Sequence, residues 1–177
     1  MYYREFDVCK QWLYKTVDIP FNINFNSSTF THRSSITTAT MGLSHFALPC
    51  GEHYVEMRDF YKAVLAPLGY EFKFEAQGPT GAYYCAFGEK NKGPDFWLGG
   101  GGSSLKKYDG NMENRTCPVH FAFDAENPKH VDEWHEAAMK AGAVDNGKPG
   151  PRNYRPGYYA AFVLDPVGNN VEVLHLG

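Results

Sequence analysis

Three side chains in this sequence have the types and spacing of a divalent-metal site: His45 in SHFAL, His120 in VHFAF and Glu172 in NNVEVLHL. The histidines stand 75 residues apart in two similar stretches, and the glutamate interrupts a β-like run between Val171 and Val173. A charge in such a run is poorly tolerated without a partner. Two imidazoles and one carboxylate converging on a point are a ligand set for Fe(II), Mn(II), Ni(II) or Zn(II), with positions left for water or substrate. A bound cation would compensate the burial of Glu172. The competing reading is ordinary solvated or core histidines, since the chain has seven.

Convergence needs elements that hold the three side chains on one face, and a repeat from Leu43 onward supplies them. After SHFAL, Met57, Phe60, Tyr61, Val64, Leu65 and Leu68 recur at helical spacing; after VHFAF, so do Val131, Trp134, Ala138 and Ala141. The second helix is well bounded: Asn127 suits the N-cap, Pro128 the first turn and Gly142 the C-terminal cap. Each helix precedes three β-like runs: YEFKFEA, GAYYCAF and DFWLG, then AVDNG, YYAAFVL and NNVEVLHL. The predicted order is strand, helix, strand, strand, strand, twice, an α+β architecture with modules at 43–99 and 116–177. The segment GGGGSSLKKYDGNMEN between them reads as a flexible linker, not a phosphate loop, because no GK[ST] ending follows.

Alternation along the strands sorts the faces. Phe46 and Leu48, Val119, Phe121 and Phe123, and Val171 and Val173 form apolar sets that the helices must cover, leaving His45, His120 and Glu172 on the other side. The repeat places Trp97 where the first module would match Glu172, so the symmetric fourth group is an indole. It either stacks on a flat substrate or plugs the vacant position. His130 and His135 fall on the helix, His53 in a turn and His32 in the N-terminal segment, while His175 alternates onto the helix-covering side or frays at the terminus.

A second group lies in PGPRNYRPGYY. Arg152 and Arg155 are candidates to clamp a carboxylate or phosphate and Tyr158 to contact substrate, while Tyr154, Tyr158 or Tyr159 could donate a hydrogen bond or transfer a proton, with Tyr154 and Tyr159 the catalytic candidates. The bland alternative is a turn-rich connection whose tyrosines only pack.

With 43% hydrophobic residues the chain can bury one substantial core or two small modules sharing one. A net charge of -3 gives no electrostatic reason to expect nucleic acid or an anionic membrane, and no apolar run is long enough to span a bilayer. A small molecule is the expected partner. Cys9, Cys50, Cys85 and Cys117 form no CxxC pair and read as reduced thiols, which suits a cytoplasmic location. Residues 1–40, with NINFNSSTFTHRSSITTAT, read as a poorly ordered extension, and residues 41–177 as the folded domain. Scarce arginine and the early acids Glu5 and Asp7 argue against a mitochondrial transit peptide; Met41 is an alternative start.

Through SHFAL, FYKAVLAPLGYE, VHFAFDAENPKHVDEWHEAAMKAGAVDNGKPG and YYAAFVLDPVGNNVEVL, the chain resembles the vicinal oxygen chelate superfamily. That superfamily includes glyoxalase I, extradiol dioxygenases, fosfomycin-resistance proteins, methylmalonyl-CoA epimerase and bleomycin-binding proteins. The resemblance spans residues 43–177 and implies paired βαβββ modules curling into a half-open, cup-shaped mixed sheet around a metal, sometimes as a homodimer. It places His45, His120 and Glu172 at three of the four ligand positions. Trp97 stands where glyoxalase I enzymes carry an acidic ligand, with Asp95 two residues early, and no further inward histidine supplies the acid and base of ring cleavage. The expectation is a metal-dependent isomerase, lyase or dioxygenase of glyoxalase type, or else a metal-free binding protein of the bleomycin-resistance kind.

Overall fold

A computed structural model describes residues 43–79, 81–100, 105–116 and 118–177. The expected N-terminal extension, with Cys9 and His32, and also Cys117, lie outside the described residues.

The repeat is a repeat of topology. The first module runs β1 (Phe46–Gly51), α1 (Tyr54–Leu65), a short 3-10 turn (Ala66–Leu68), β2 (Tyr70–Gln77), β3 (Tyr83–Glu89) and β4 (Phe96–Gly100). The second runs β5 (His120–Asp124), α2 (Pro128–Lys140), β6 (Val144–Pro151), β7 (Tyr158–Leu164) and β8 (Asn170–Leu176). Each module forms one four-stranded mixed sheet, ordered β1-β4-β3-β2 and β5-β8-β7-β6. In each, the first and last strands pair in parallel and the others antiparallel. Even the register repeats: Ala47 lies opposite Trp97 as Ala122 lies opposite Glu172.

The α2 boundaries follow from its sequence. The Asn127 side chain accepts the His130 amide at 3.1 Å, Pro128 occupies the first turn, and Gly142 at φ 91° closes the far end. Met57, Phe60, Tyr61 and Val64 of α1 and Val131, Trp134 and Ala138 of α2 are buried on their sheets in one hydrophobic cluster drawn from both modules. The modules meet through aromatic rings: Phe46 and Phe121 at 5.3 Å, Phe96 and Phe123 at 5.5 Å between centroids. Cys50 and Cys85 are buried free thiols, and burial pushes the Cys50 thiol up.

The DPVGN turn between β7 and β8 ties the modules together. The Asp165 carboxylate, 1% exposed, accepts the amides of Val167 and Asn169, the Asn169 side-chain amide and the Tyr61 hydroxyl of α1. Asn169 in turn accepts the Val119 amide just before β5 at 3.1 Å. The most distinctive short motif in the sequence is therefore a structural staple.

Residues 105–116 correct the expectation of a flexible linker. Leu105 is buried, its carbonyl lies 3.2 Å from His53 Nε2, the Tyr108 amide donates to Pro166 at 2.9 Å, and Arg115 donates to the Gly168 carbonyl at 3.1 Å. The segment is pinned across the DPVGN turn at one end and α1 at the other.

Candidate active site on the open face

Each sheet has one face under its helix and one face open. On the second module the open face carries His120 from β5, Tyr158 and Phe162 from β7, and Asn170 and Glu172 from β8. His120 Nε2 lies 3.2 Å from Glu172 Oε2. Tyr158 donates its hydroxyl to Glu172 Oε1 at 2.6 Å. Although Glu172 faces away from the helices it is only 4% exposed, because His120 and Tyr158 roof it. Burial, with the hydrogen bond to Glu172 second, pushes the Tyr158 phenol up to about 12, so it remains a donor at neutral pH.

The other His120 nitrogen, Nδ1, lies 3.1 Å from the Asn170 carbonyl and 2.9 Å from the Asn170 side-chain amide. The two contacts suit different tautomers. With the proton on Nδ1 the ring donates to the carbonyl and leaves the Nε2 lone pair free for an electrophile; with it on Nε2 the ring donates to Glu172. The first arrangement is the outer-shell geometry of a metal-binding histidine. Two ligands at right angles with bond lengths near 2.1 Å stand about 3.0 Å apart, close to the observed 3.2 Å. His120 and Glu172 thus fit as neighbouring ligands of one divalent ion.

His45 is not brought to them. It lies on the open face of the first module, exposed, with Nδ1 3.4 Å from Ser44 Oγ and its ring edge-on to Trp97 at 6.3 Å. Among the described residues no three His, Cys, Asp or Glu side chains gather closely enough to hold a metal ion. The expected trio is therefore a pair in this conformation, with its third member on the neighbouring module.

Trp97 belongs to an aromatic wall. Its ring lies 5.2 Å from Phe74 and 6.5 Å from Tyr84, and its buried Nε1 has no hydrogen-bond partner among the described residues. Phe74 reaches this face through a β-bulge: the pairing shifts between Phe72 and Phe74, so Phe72 packs on Phe87 beneath the sheet while Phe74 opposes Ala86 on the open side. Asp95 is spent elsewhere, accepting the Tyr70 hydroxyl at 3.2 Å.

The tyrosines of PGPRNYRPGYY separate by strand parity. Tyr159, expected as a proton-transfer candidate, points to the helix side and donates to Asp132 of α2 at 2.8 Å, so it is removed from the His120–Glu172 pair. Tyr154 is 70% exposed and packs edge-on to Tyr158 at 5.2 Å. Tyr158, expected to contact substrate and one of three tyrosines expected to donate a hydrogen bond or a proton, is the one bonded to the carboxylate. Sorting YYAAFVL by alternation would have found it, because Tyr159, Ala161 and Val163 are the set that covers the helix. Asn170 was missed for want of any signal that its carbonyl would meet an imidazole. Arg152 and Arg155 line an open cavity of about 830 Å³ together with Tyr154, Tyr158 and Tyr159.

No protein-family model matches the chain, and no curated protein sequence matches it. Solved structures do. A glyoxalase/bleomycin resistance protein/dioxygenase domain from Frankia sp. EAN1pec superposes with a TM-score of 0.57 at 19% identity, covering 77% of this chain and 98% of that one. A family enzyme of the same description from Burkholderia phytofirmans PsJN gives 0.52 at 19% identity, covering 77% and 100%. A glyoxalase I variant from Zea mays gives 0.54 at 20% identity over 75% of this chain, which spans only 44% of the maize chain. At these identities the likeness is one of fold, and the fold is the paired-module, open-sheet fold of the glyoxalase/bleomycin resistance/dioxygenase proteins.

Proposed function

We propose that this chain is a divalent-metal enzyme acting on a small oxygen-bearing substrate, of isomerase, lyase or dioxygenase type. His120 and Glu172 are two of its ligands and His45 is the third. The observation that carries the reading is a buried carboxylate held 3.2 Å from an imidazole nitrogen whose partner nitrogen faces a backbone carbonyl. His45 supports it by sharing the open face and by having, among the described residues, only its neighbour Ser44 as a hydrogen-bond contact, so reorienting its ring breaks little. A bound ion of the Fe, Mn, Ni or Zn type supplies Lewis acidity toward substrate oxygens. The chain's own residues do the rest. Tyr158 holds its proton and fixes the Glu172 carboxylate, Asn170 orients the His120 ring, and Phe162, 6.2 Å from that ring, backs it.

Equilibrium dialysis of Zn(II) against the full chain tests this. One ion per chain, lost in His120→Ala, is the expected result; an unchanged stoichiometry in that variant rejects the site. A homodimer in an intracellular compartment is part of the same proposal, and light scattering reads the assembly.

One observation favours a second reading. The wall of Trp97, Phe74 and Tyr84 suits a flat apolar ligand held without a metal, as in sequestering proteins. Ligand binding indifferent to a chelator distinguishes it.

A further inference from the structure

The His120–Glu172 pair is flanked by two guanidiniums, each across one aromatic ring. Arg152 lies over Phe162 at 5.4 Å, and Phe162 stacks beside His120 at 6.2 Å. Arg155 lies over Tyr158 at 5.9 Å, and Tyr158 donates to Glu172. Arg58 pairs with Asp59 and Glu75, whereas neither Arg152 nor Arg155 has a carboxylate partner among the described residues.

The loop that carries them is built to keep them there. The Arg152 amide donates to the Tyr158 carbonyl at 2.8 Å and the Tyr158 amide to the Arg155 carbonyl at 3.3 Å, which folds the loop back over β7. Arg152 Nη2 is tied to the Lys148 carbonyl, leaving its other donors free. Gly157 takes φ 76°, a left-handed turn against Gly177 where any side chain would collide. Pro156 stiffens the approach, and the rings beneath the guanidiniums limit their freedom.

We infer that the substrate carries a compact oxyanion, a carboxylate or a phosphate, which Arg152 and Arg155 hold in the cavity of about 830 Å³ whose wall they share with Tyr158, the residue that bonds Glu172. A planar fork of donors matches either group, and both guanidiniums stand in the wall of one cavity with no carboxylate partner among the described residues. Glu172 pairs with neither arginine, being held by Tyr158 and His120. The inference rests on reading the region around Tyr158 as the substrate site, but not on the presence of a metal.

The test uses the full chain in excess chelator, titrated calorimetrically with inorganic phosphate, with malonate and with neutral malonamide. Saturable binding of phosphate or malonate, and none of malonamide, is expected, and the stronger of the two names the head group. Arg152→Gln and Arg155→Gln should each weaken that binding about tenfold or more, as loss of charge-assisted hydrogen bonds does, while Arg58→Gln leaves it unchanged. Thermal melts check that the variants fold, and Arg152→Lys, which keeps charge but not the fork, should fall between. Malonamide binding as tightly as malonate, no saturable anion binding, or equal affinity in all variants overturns the inference. The chelator keeps the two proposals apart, because Glu172→Gln should lose the metal and retain the anion.

Discussion

The two modules share a scaffold and differ in what they present on the open face. Trp97 and Glu172 occupy equivalent places, opposite Ala47 and Ala122 in identical parallel ladders, with a histidine two residues before each alanine. In the first module the indole recruits Phe74 and Tyr84 and makes an apolar wall; in the second the carboxylate recruits His120 and Tyr158 and makes a polar one. Backbone register is thus set by the buried side of each sheet, where Phe, Leu and Val pack on the helix. The open side is left to chemistry, and one fold can furnish its halves differently.

Exchanging the furnishings tests the comparison most severely. Trp97→Glu removes the centre of the aromatic wall and places a charge between Phe74 and Tyr84, so a loss of about 3–5 kcal/mol is expected in urea unfolding. If His45 and the new carboxylate repeat the geometry of the second module, added Zn(II) recovers part of that loss. The turns differ as well: among its described residues the first module has no equivalent of the Asp165 staple. Asp165→Ala should cost about 3 kcal/mol by stranding buried donors, including the Tyr61 hydroxyl.

Tyr158→Phe acts only on the polar wall, and a loss of about 1 kcal/mol is expected at neutral pH. The folded-state phenol titrates near 12 against an ordinary 10, so its contribution is complete below pH 10 and declines as pH rises to about 12. The wild-type advantage over Tyr158→Phe in unfolding free energy should shrink across that window; a constant difference would place the phenol outside the network. His45→Ala should change stability by less than about 0.5 kcal/mol, because the ring is exposed, yet weaken metal binding in dialysis if it is the third ligand.

Much of this was legible in the sequence. Helical spacing, the Asn-Pro start and glycine stop of α2, and the doubled SHFAL and VHFAF exposed the module order, and alternation put His120 and Glu172 on one face. Neighbour relations across the fold were not legible. A bulge at Lys73 reverses the parity of β2, so Phe72 and Phe74, two residues apart, face opposite sides. The composition of residues 105–116 suggested slack, but Leu105 and Arg115 find partners on distant loops. His45, with the right residue type on the right face, turns to Trp97 because strand position does not fix the side-chain rotamer.

The central claim is that the polar wall of the second module, joined by His45, holds a divalent ion. Zinc-edge X-ray absorption on the Zn(II)-loaded full chain reads the donors directly. Two imidazole nitrogens at about 2.0–2.1 Å with carboxylate oxygen, and loss of imidazole scattering in His120→Ala, are the predicted result. A shell of oxygen alone, the same in wild type and variant, would contradict it.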